Sequence, residues 1–410
     1  MTLTLASPAF SQDKALALSD AIRLAIDLNP SMREYPLRYD SLRAQQQTAA
    51  LRPAINLGVE LENVAGSGSF SGTDAAESTL SLFSVLERGG KRAARREIVA
   101  QQMSHAELQR QQAVINLAAD VAQQFIQVAA TQEKLAIKQA ALALQQRIQK
   151  DVSKRVEAGA APDAELLRIK AAVAEHEAEL AAVSAELAIQ RRTLTAFWSL
   201  KGDNDFHVSA KLLQLPTALG SINIDELAEG NPQVALLTQQ IALQTAITEG
   251  VRAEGASDWG WRVGARHFAD TDDTAFLLGL EIPLFSTRRN QGGEAQSQLE
   301  GQRIQQQRDI AVWTFKQRLQ ALNARLEASN AEVRSLRDTA VPLRQQAFEE
   351  TQRAYNRGRY SFAELAAEQR GLILLQQRVL DAAARSHQIN FELERLLGQI
   401  GPDTAPHRDD

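Results

Sequence analysis

The chain has 410 residues, no cysteine and a formal net charge of −5, from 45 basic and 50 acidic side chains. Disulfides, thiolate metal sites and thiol nucleophiles are therefore excluded, and nothing in the charge balance points to nucleic acid. No apolar run reaches the roughly 18 residues of a transmembrane helix, whereas a membrane β-barrel, whose signal per strand is weak, stays open. Few glycines and prolines (22 and 11) and 5% aromatics, with long stretches of Ala, Gln, Leu, Glu and Arg, favour long helices.

Residues 1–12 carry Leu3, Leu5 and Ala6, then Ser7-Pro8-Ala9. They read as the end of a secretory signal whose front is missing, or as an ordinary frayed terminus. A first repeat is expected over 13–200. It opens on a helical stretch, Ala15 to Ala50, divided at Asn29-Pro30 because proline disfavours a helical residue before it. A strand pair follows at about 54–64 and 78–87. Ile55, Leu57, Val59 and Leu61 alternate with Asn56, Gly58, Glu60 and Glu62, and Leu80 and Leu82 alternate with Thr79 and Ser81. Period two means one apolar face per strand. Long helices are expected at about 91–157 and 163–199. Ala93 to Val156 lacks Pro and Gly, and Val114, Val121, Val128, Leu135 and Leu142 recur every seven residues, the spacing of coiled-coil packing. At 1.5 Å per residue such a helix is on the order of 100 Å long.

A linker over 201–231 is rich in breakers. The second repeat, 232–398, has the same order. A helical stretch, Ile224 to Glu254, leads to a strand pair at about 259–268 and 275–285, then to long helices at about 288–356 and 362–397. Val312, Leu319, Leu326 and Val333 form its heptad seam, with Phe315, Leu322, Leu336 and Leu343 as a second, and Pro342 should bend the helix locally. Residues 399–410 read as a disordered tail. The duplication rests on matches in the same order: Asn29-Pro30 with Asn231-Pro232, Val85-Leu86 with Pro283-Leu284, and Gly159 plus Ala164-Glu165-Leu166 with Gly358 plus Ala363-Glu364-Leu365.

Two isolated hairpins are marginal in water, so they should pair with one another or with other chains. They could be soluble hairpins packed on helices. Four strands cannot close a barrel, since the smallest membrane barrels have about eight, so the membrane reading requires an oligomer. Little suggests catalysis. None of the six histidines stands three or four residues from another, and His176 with Glu175, Glu177 and Glu179 reads as a solvated helix face. Gly89-Gly90 is followed by Lys91-Arg92 and lacks the hydroxyl residue of a phosphate loop, so it reads as a strand-to-helix bend. The expectation is a non-enzyme with no cofactor and no metal site.

The stretch Leu86-Glu87-Arg88-Gly89-Gly90-Lys91-Arg92, closing a strand and opening a long helix, resembles a signature of the TolC-like outer-membrane factors, most of all the CzcC branch of heavy-metal RND efflux systems. Ile282-Pro283-Leu284-Phe285 with Asn290-Gln291-Gly292, Arg155-Val156-Glu157-Ala158-Gly159 and Tyr355-Asn356-Arg357-Gly358 are similar to the family's corresponding segments; Val85 departs from its usual proline. The resemblance implies a mainly α fold with a membrane β-barrel. It implies a homotrimer with four strands per chain in a 12-stranded barrel, embedded in outer-membrane lipid and continuous with a long periplasmic α-helical barrel. It further implies a periplasmic adaptor (a membrane fusion protein) and, through it, an inner-membrane RND pump; nucleic acid has no part. The chain would be a passive exit duct in a Gram-negative outer membrane, exporting heavy-metal cations. A drug duct of the same fold and a soluble coiled-coil structural protein are the alternatives. Carried onto this chain, Glu165 and Glu364 would line the periplasmic aperture. Arg155, Gly159, Asp163, Tyr355, Arg357, Gly358 and Arg359 would form the adaptor-contacting tip, and Glu87, Gly89, Gly90, Lys91 and Arg92 the strand-to-helix signature.

Overall fold

In the computed structural model, the structure describes residues 15–199, 205–220, 223–284 and 286–400. The proposed signal remnant at 1–12, Phe285, most of the tail and parts of the linker lie outside them. The elements run α1 (Leu18–Leu28), α2 (Glu34–Ala49), β1 (Asn56–Glu62), β2 (Glu77–Leu86), α3 (Lys91–Glu157), α4 (Asp163–Thr195), α5 (Ile224–Glu229), α6 (Pro232–Glu254), β3 (Trp259–Phe268), β4 (Asp273–Glu281), α7 (Ser286–Ser335), α8 (Val341–Asn356) and α9 (Phe362–Leu397). No helix among the described residues is long and apolar enough to cross a membrane.

The chain divides into two compact units, each drawing on both halves of the sequence. One takes Met1–Arg33, Arg110–Pro232 and Val312–Asp410; the other takes Glu34–Gln109 and Gln233–Ala311. Each unit therefore combines elements from both expected repeats.

The helical unit holds three apolar clusters. In the largest, one stripe of α3 (Ala118, Val121, Ala122, Phe125 and Val128) packs on Ile22 and Ala25 of α1, Leu187 and Leu194 of α4, and Val379, Ala383 and Phe391 of α9. Small residues alternating with large ones let the helices approach closely. In the second, Phe315, Leu319, Leu322 and Leu326 of α7 meet Leu393 and Ala228, so the 3-4 spacing of α7 does pack as a seam. The third gathers Ile148, Val152, Ile169, Phe348, Tyr355 and Leu365. Both Asn-Pro pairs serve as pins: Asn29 donates to the Phe197 carbonyl at 2.8 Å, and Asn231 donates to the Leu396 carbonyl at 2.6 Å. The bend expected at Pro342 takes the form of a π-helical turn, Leu336–Ala340, just before α8, which has proline in its first turn. The backbone stays helical through that turn, with Val341 N–H on the Leu336 carbonyl, so the proline leaves one bond of the ladder unmade where the spacing changes.

The other unit contains one antiparallel sheet in the order β1-β2-β3-β4, so the two hairpins join through β2 and β3. The register builds cross-strand rows: Leu57–Leu82–Val263–Leu278, and Val59–Leu80–Ala265–Phe276. This face is apolar yet open, with Phe276 90% and Leu278 86% exposed. The opposite face is polar. Arg266 pairs with Glu77 at 2.6 Å and Glu62 at 2.7 Å and donates to Thr79 at 2.9 Å; Arg262 lies 5.3 Å over the Phe83 ring. Gly264 is required by space, because a Cβ there would stand 2.7 Å from the Leu80 carbonyl oxygen. β4 stops at Glu281, short of the alternation that runs on to Leu284, since Pro283 has no N–H for a ladder.

Candidate functional site

Two places gather the residues singled out by sequence. The first is the pair of helix-to-helix turns in the helical unit. After α3, Ala160 N–H bonds the Arg155 carbonyl at 2.7 Å; after α8, Arg359 N–H bonds the Ala354 carbonyl at 2.9 Å. Gly159 has φ +70° and Gly358 φ +71°. These are twin Schellman turns, with glycine in the left-handed position that closes the helix. No atom lies within 4 Å of where a Cβ would sit at either. Conformation, not crowding, requires glycine there.

The helices that follow start differently. α9 opens on a capping box: Ser361 N–H donates to Glu364 at 2.7 Å, and Glu364 N–H donates to Ser361 Oγ at 3.3 Å. These two bonds hold the Glu364 carboxyl below its ordinary value, the backbone one foremost. α4 starts after Pro162 with no side-chain cap, and Asp163 and Glu165 occupy its first turn. Glu165 instead accepts a 2.6 Å bond from the Tyr355 hydroxyl at the end of α8. Tyr355 is 5% exposed, stands edge-on to Phe362 at 6.5 Å, and has the Arg155 guanidinium 5.6 Å from its ring centre. Burial first, then the Glu165 carboxylate, raises the Tyr355 hydroxyl well above its ordinary value, so it stays a donor. The structure thus brings Arg155, Glu165 and Tyr355 together. Asp163, Arg357 and Arg359 are exposed at the turns.

The second place is the strand-to-helix junction of the sheet-bearing unit. Gly89 (φ +72°) and Gly90 (φ +79°) turn the chain from β2 into α3, and a Cβ on Gly89 would stand 2.4 Å from that of Ala256. Glu87 receives both arms of Arg95, at 2.5 and 3.0 Å, which holds its carboxyl below its ordinary pKa. Lys91, 7% exposed, binds Asp258 at 2.7 Å and Glu254 at 3.3 Å. Burial works to lower its value, and the two carboxylates outweigh it, so the ammonium is held charged. Asp258 also accepts Arg88 N–H at 3.0 Å, and Arg88 lies 4.3 Å over Trp259. Burial alone would raise the Asp258 carboxyl, but Lys91 and Arg88 bring it below its ordinary value. Asp258, Glu254 and Arg95 escaped the sequence reading because their partners, Arg95 apart, are far away in the chain. Ser361-x-x-Glu364 has the spacing of a capping box, a local signal that the sequence reading leaves unused. Among the described residues no three His, Asp or Glu gather as a metal site; His176 stands 3.4 Å from Glu179, whose carboxylate Lys138 holds at 2.7 Å.

Residues 21–199 match the family Outer membrane efflux protein. The cobalt-zinc-cadmium resistance protein CzcC of Cupriavidus metallidurans is 23% identical over 401 residues, which span 96% of this chain and 93% of that protein. Among solved structures, CusC superposes with a TM-score of 0.76 at 18% identity, covering 93% of this chain and 91% of its own. The outer membrane protein VceC of Vibrio cholerae superposes with a TM-score of 0.74 at 17% identity, covering 94% and 97%. Residues 21–199 thus carry sequence similarity to the outer membrane efflux proteins, and more than nine-tenths of the chain shares the fold of CusC and VceC.

Proposed function

We propose that this chain is one subunit of a passive exit duct in the outer membrane, through which a tripartite RND-type system discharges metal cations. The observation that carries the reading is the sheet: one face is dominated by exposed apolar rows, the other holds the Arg266–Glu62–Glu77 charges, and both β1 and β4 have an unpaired edge. Exposed apolar rows suit lipid, a charged opposite face suits a wet lumen, and unpaired edges suit pairing with further copies. Three copies supply twelve strands. No helix among the described residues is long and apolar enough to cross a membrane, so the strands would span it and the helices would form a second, α-helical barrel in the periplasm.

Cargo moves unchanged, driven by an inner-membrane pump reached through a periplasmic adaptor. The metal assignment follows the similarity to CzcC. The two glycine turns would be the adaptor-facing tip. There Arg357 and Arg359, exposed and without a partner among the described residues, offer positive charge, while Glu165 and Glu364 set a negative ring that favours cations.

Mass measurement of the protein–detergent complex should give three chains; a monomer would sink the assembly. Cells lacking the chain should become sensitive to cobalt, zinc or cadmium salts and keep their tolerance to dyes and detergents, and the reverse pattern would reassign the cargo. Cysteines at 357 or 359 should cross-link to the adaptor. Cross-linking only from the Gly66 to Asp74 loop would invert the topology.

A further inference from the structure

A groove of about 670 Å³ lies where the apolar sheet face gives way to the helices. Its upper wall is Ile55, Ser84 and Trp261, and its lower wall is Arg52, Arg92 and Arg96. The upper wall continues the outward rows, since Ser84 pairs with Trp261 and Trp261 with Leu280 in the register, and Leu280 is exposed. The three arginines have no ion pair or hydrogen bond among the described residues, although other charges of this junction are tightly matched. Glu87, the carboxylate in the wall, is held by both arms of Arg95, and Lys91 by Asp258 and Glu254. Arg92 and Arg96 stand four apart on α3, where like charges repel. Three unmatched cations around one hollow suit an anion, and the chemistry above it selects the kind: apolar rows for acyl chains, an aromatic side chain at the boundary, and guanidinium forks for a phosphate diester.

We infer that this groove binds the headgroup of an anionic glycerophospholipid from the periplasmic leaflet, with Arg52, Arg92 and Arg96 on the phosphate and the acyl chains along Ile55 and the Leu57–Leu82–Val263–Leu278 row. The inference rests on the outer-membrane reading above. It gives the barrel a fixed depth, because the phosphate plane is pinned to the start of α3.

The test is native mass spectrometry of the purified assembly in detergent, offered phosphatidylglycerol or phosphatidylcholine with the same acyl chains. Phosphatidylglycerol should be retained at least about tenfold over phosphatidylcholine. The triple substitution Arg52→Gln, Arg92→Gln, Arg96→Gln should weaken its retention on the order of a hundredfold, as expected for three surface cations. The triple lysine variant should keep most of it, and a glutamine variant that stays an assembled oligomer with unchanged helical content excludes misfolding. Equal retention by the wild type and the glutamine variant would overturn the site. Displacement of the lipid by equimolar inorganic phosphate would overturn the lipid assignment. A chain that is soluble and monomeric without detergent would overturn the outer-membrane reading as well, whereas an intact oligomer showing no phosphatidylglycerol preference overturns the lipid site alone.

Discussion

The turns at Gly159 and Gly358 are backbone copies with different side-chain chemistry. Both glycines sit at φ near +70° in open space, and each is followed six residues on by a glutamate. Glu364 is committed to its own helix start, whereas Glu165 reaches across to Tyr355 of the other half. The element fixed by backbone geometry has the same form at both turns. The carboxylate six residues on has a distant partner at one turn and a local one at the other. The glutamate of the first turn therefore has a tertiary partner, Tyr355 beside the second turn, and that of the second a local one.

That contrast can be broken most sharply at Tyr355. Tyr355→Phe removes the donor to Glu165 and should loosen the residues around 150–170 by about 2 kcal/mol, the usual worth of a bond to a charged group. Native-state hydrogen exchange should show lost protection at the start of α4 and little change at the capping box of α9. Equal loss in both would mean that the two tips unfold as one. Next come the glycines. Gly159→Ala and Gly358→Ala should each cost about 1 kcal/mol, and equally, because strain at positive φ is the only term. An unequal pair, read by the same exchange experiment, would show that surroundings matter after all. Ser361→Ala should cost about 1 kcal/mol at the second tip alone.

Acid gives the smallest effect, at the second turn. The Glu364 carboxyl is depressed below its ordinary 4.5 by Ser361, so its stabilisation is complete above that pH and is lost as pH falls through the lowered value. Protection at the start of α9, corrected for intrinsic exchange, should decline below about pH 4.5, and Glu364→Gln should flatten the decline. A wild-type profile already flat from pH 6 to 3 would contradict the capping box as the source.

The strands and the turns were readable because each depends on local pattern: alternation at Leu57, Val59, Leu80 and Leu82, and glycine where only positive φ closes a helix. The Asn-Pro pair could be matched between the halves, but its pinning function could not, since Phe197 and Leu396 offer only carbonyls. Tyr355 was noted, yet its bond to Glu165 joins residues 190 apart. Asp258 sits 167 residues from Lys91 and carries no motif of its own. Glu364, a candidate ring charge by resemblance, also caps its own helix through Ser361. Partner choice across the duplication is a tertiary fact, and one copy of a sequence shows only half of each pair.

The central pairing of the sheet has a consequence in time. β1 and β2 are complete once Leu86 has been made, but the strand that covers β2 begins at Trp259. Throughout synthesis and export of the intervening α3 to α6, the first hairpin exists with a bare edge beside its oily rows, the combination that invites misassociation. Refolding from denaturant should accordingly lose yield steeply with protein concentration, and a holding chaperone that masks residues 56–86 should restore it.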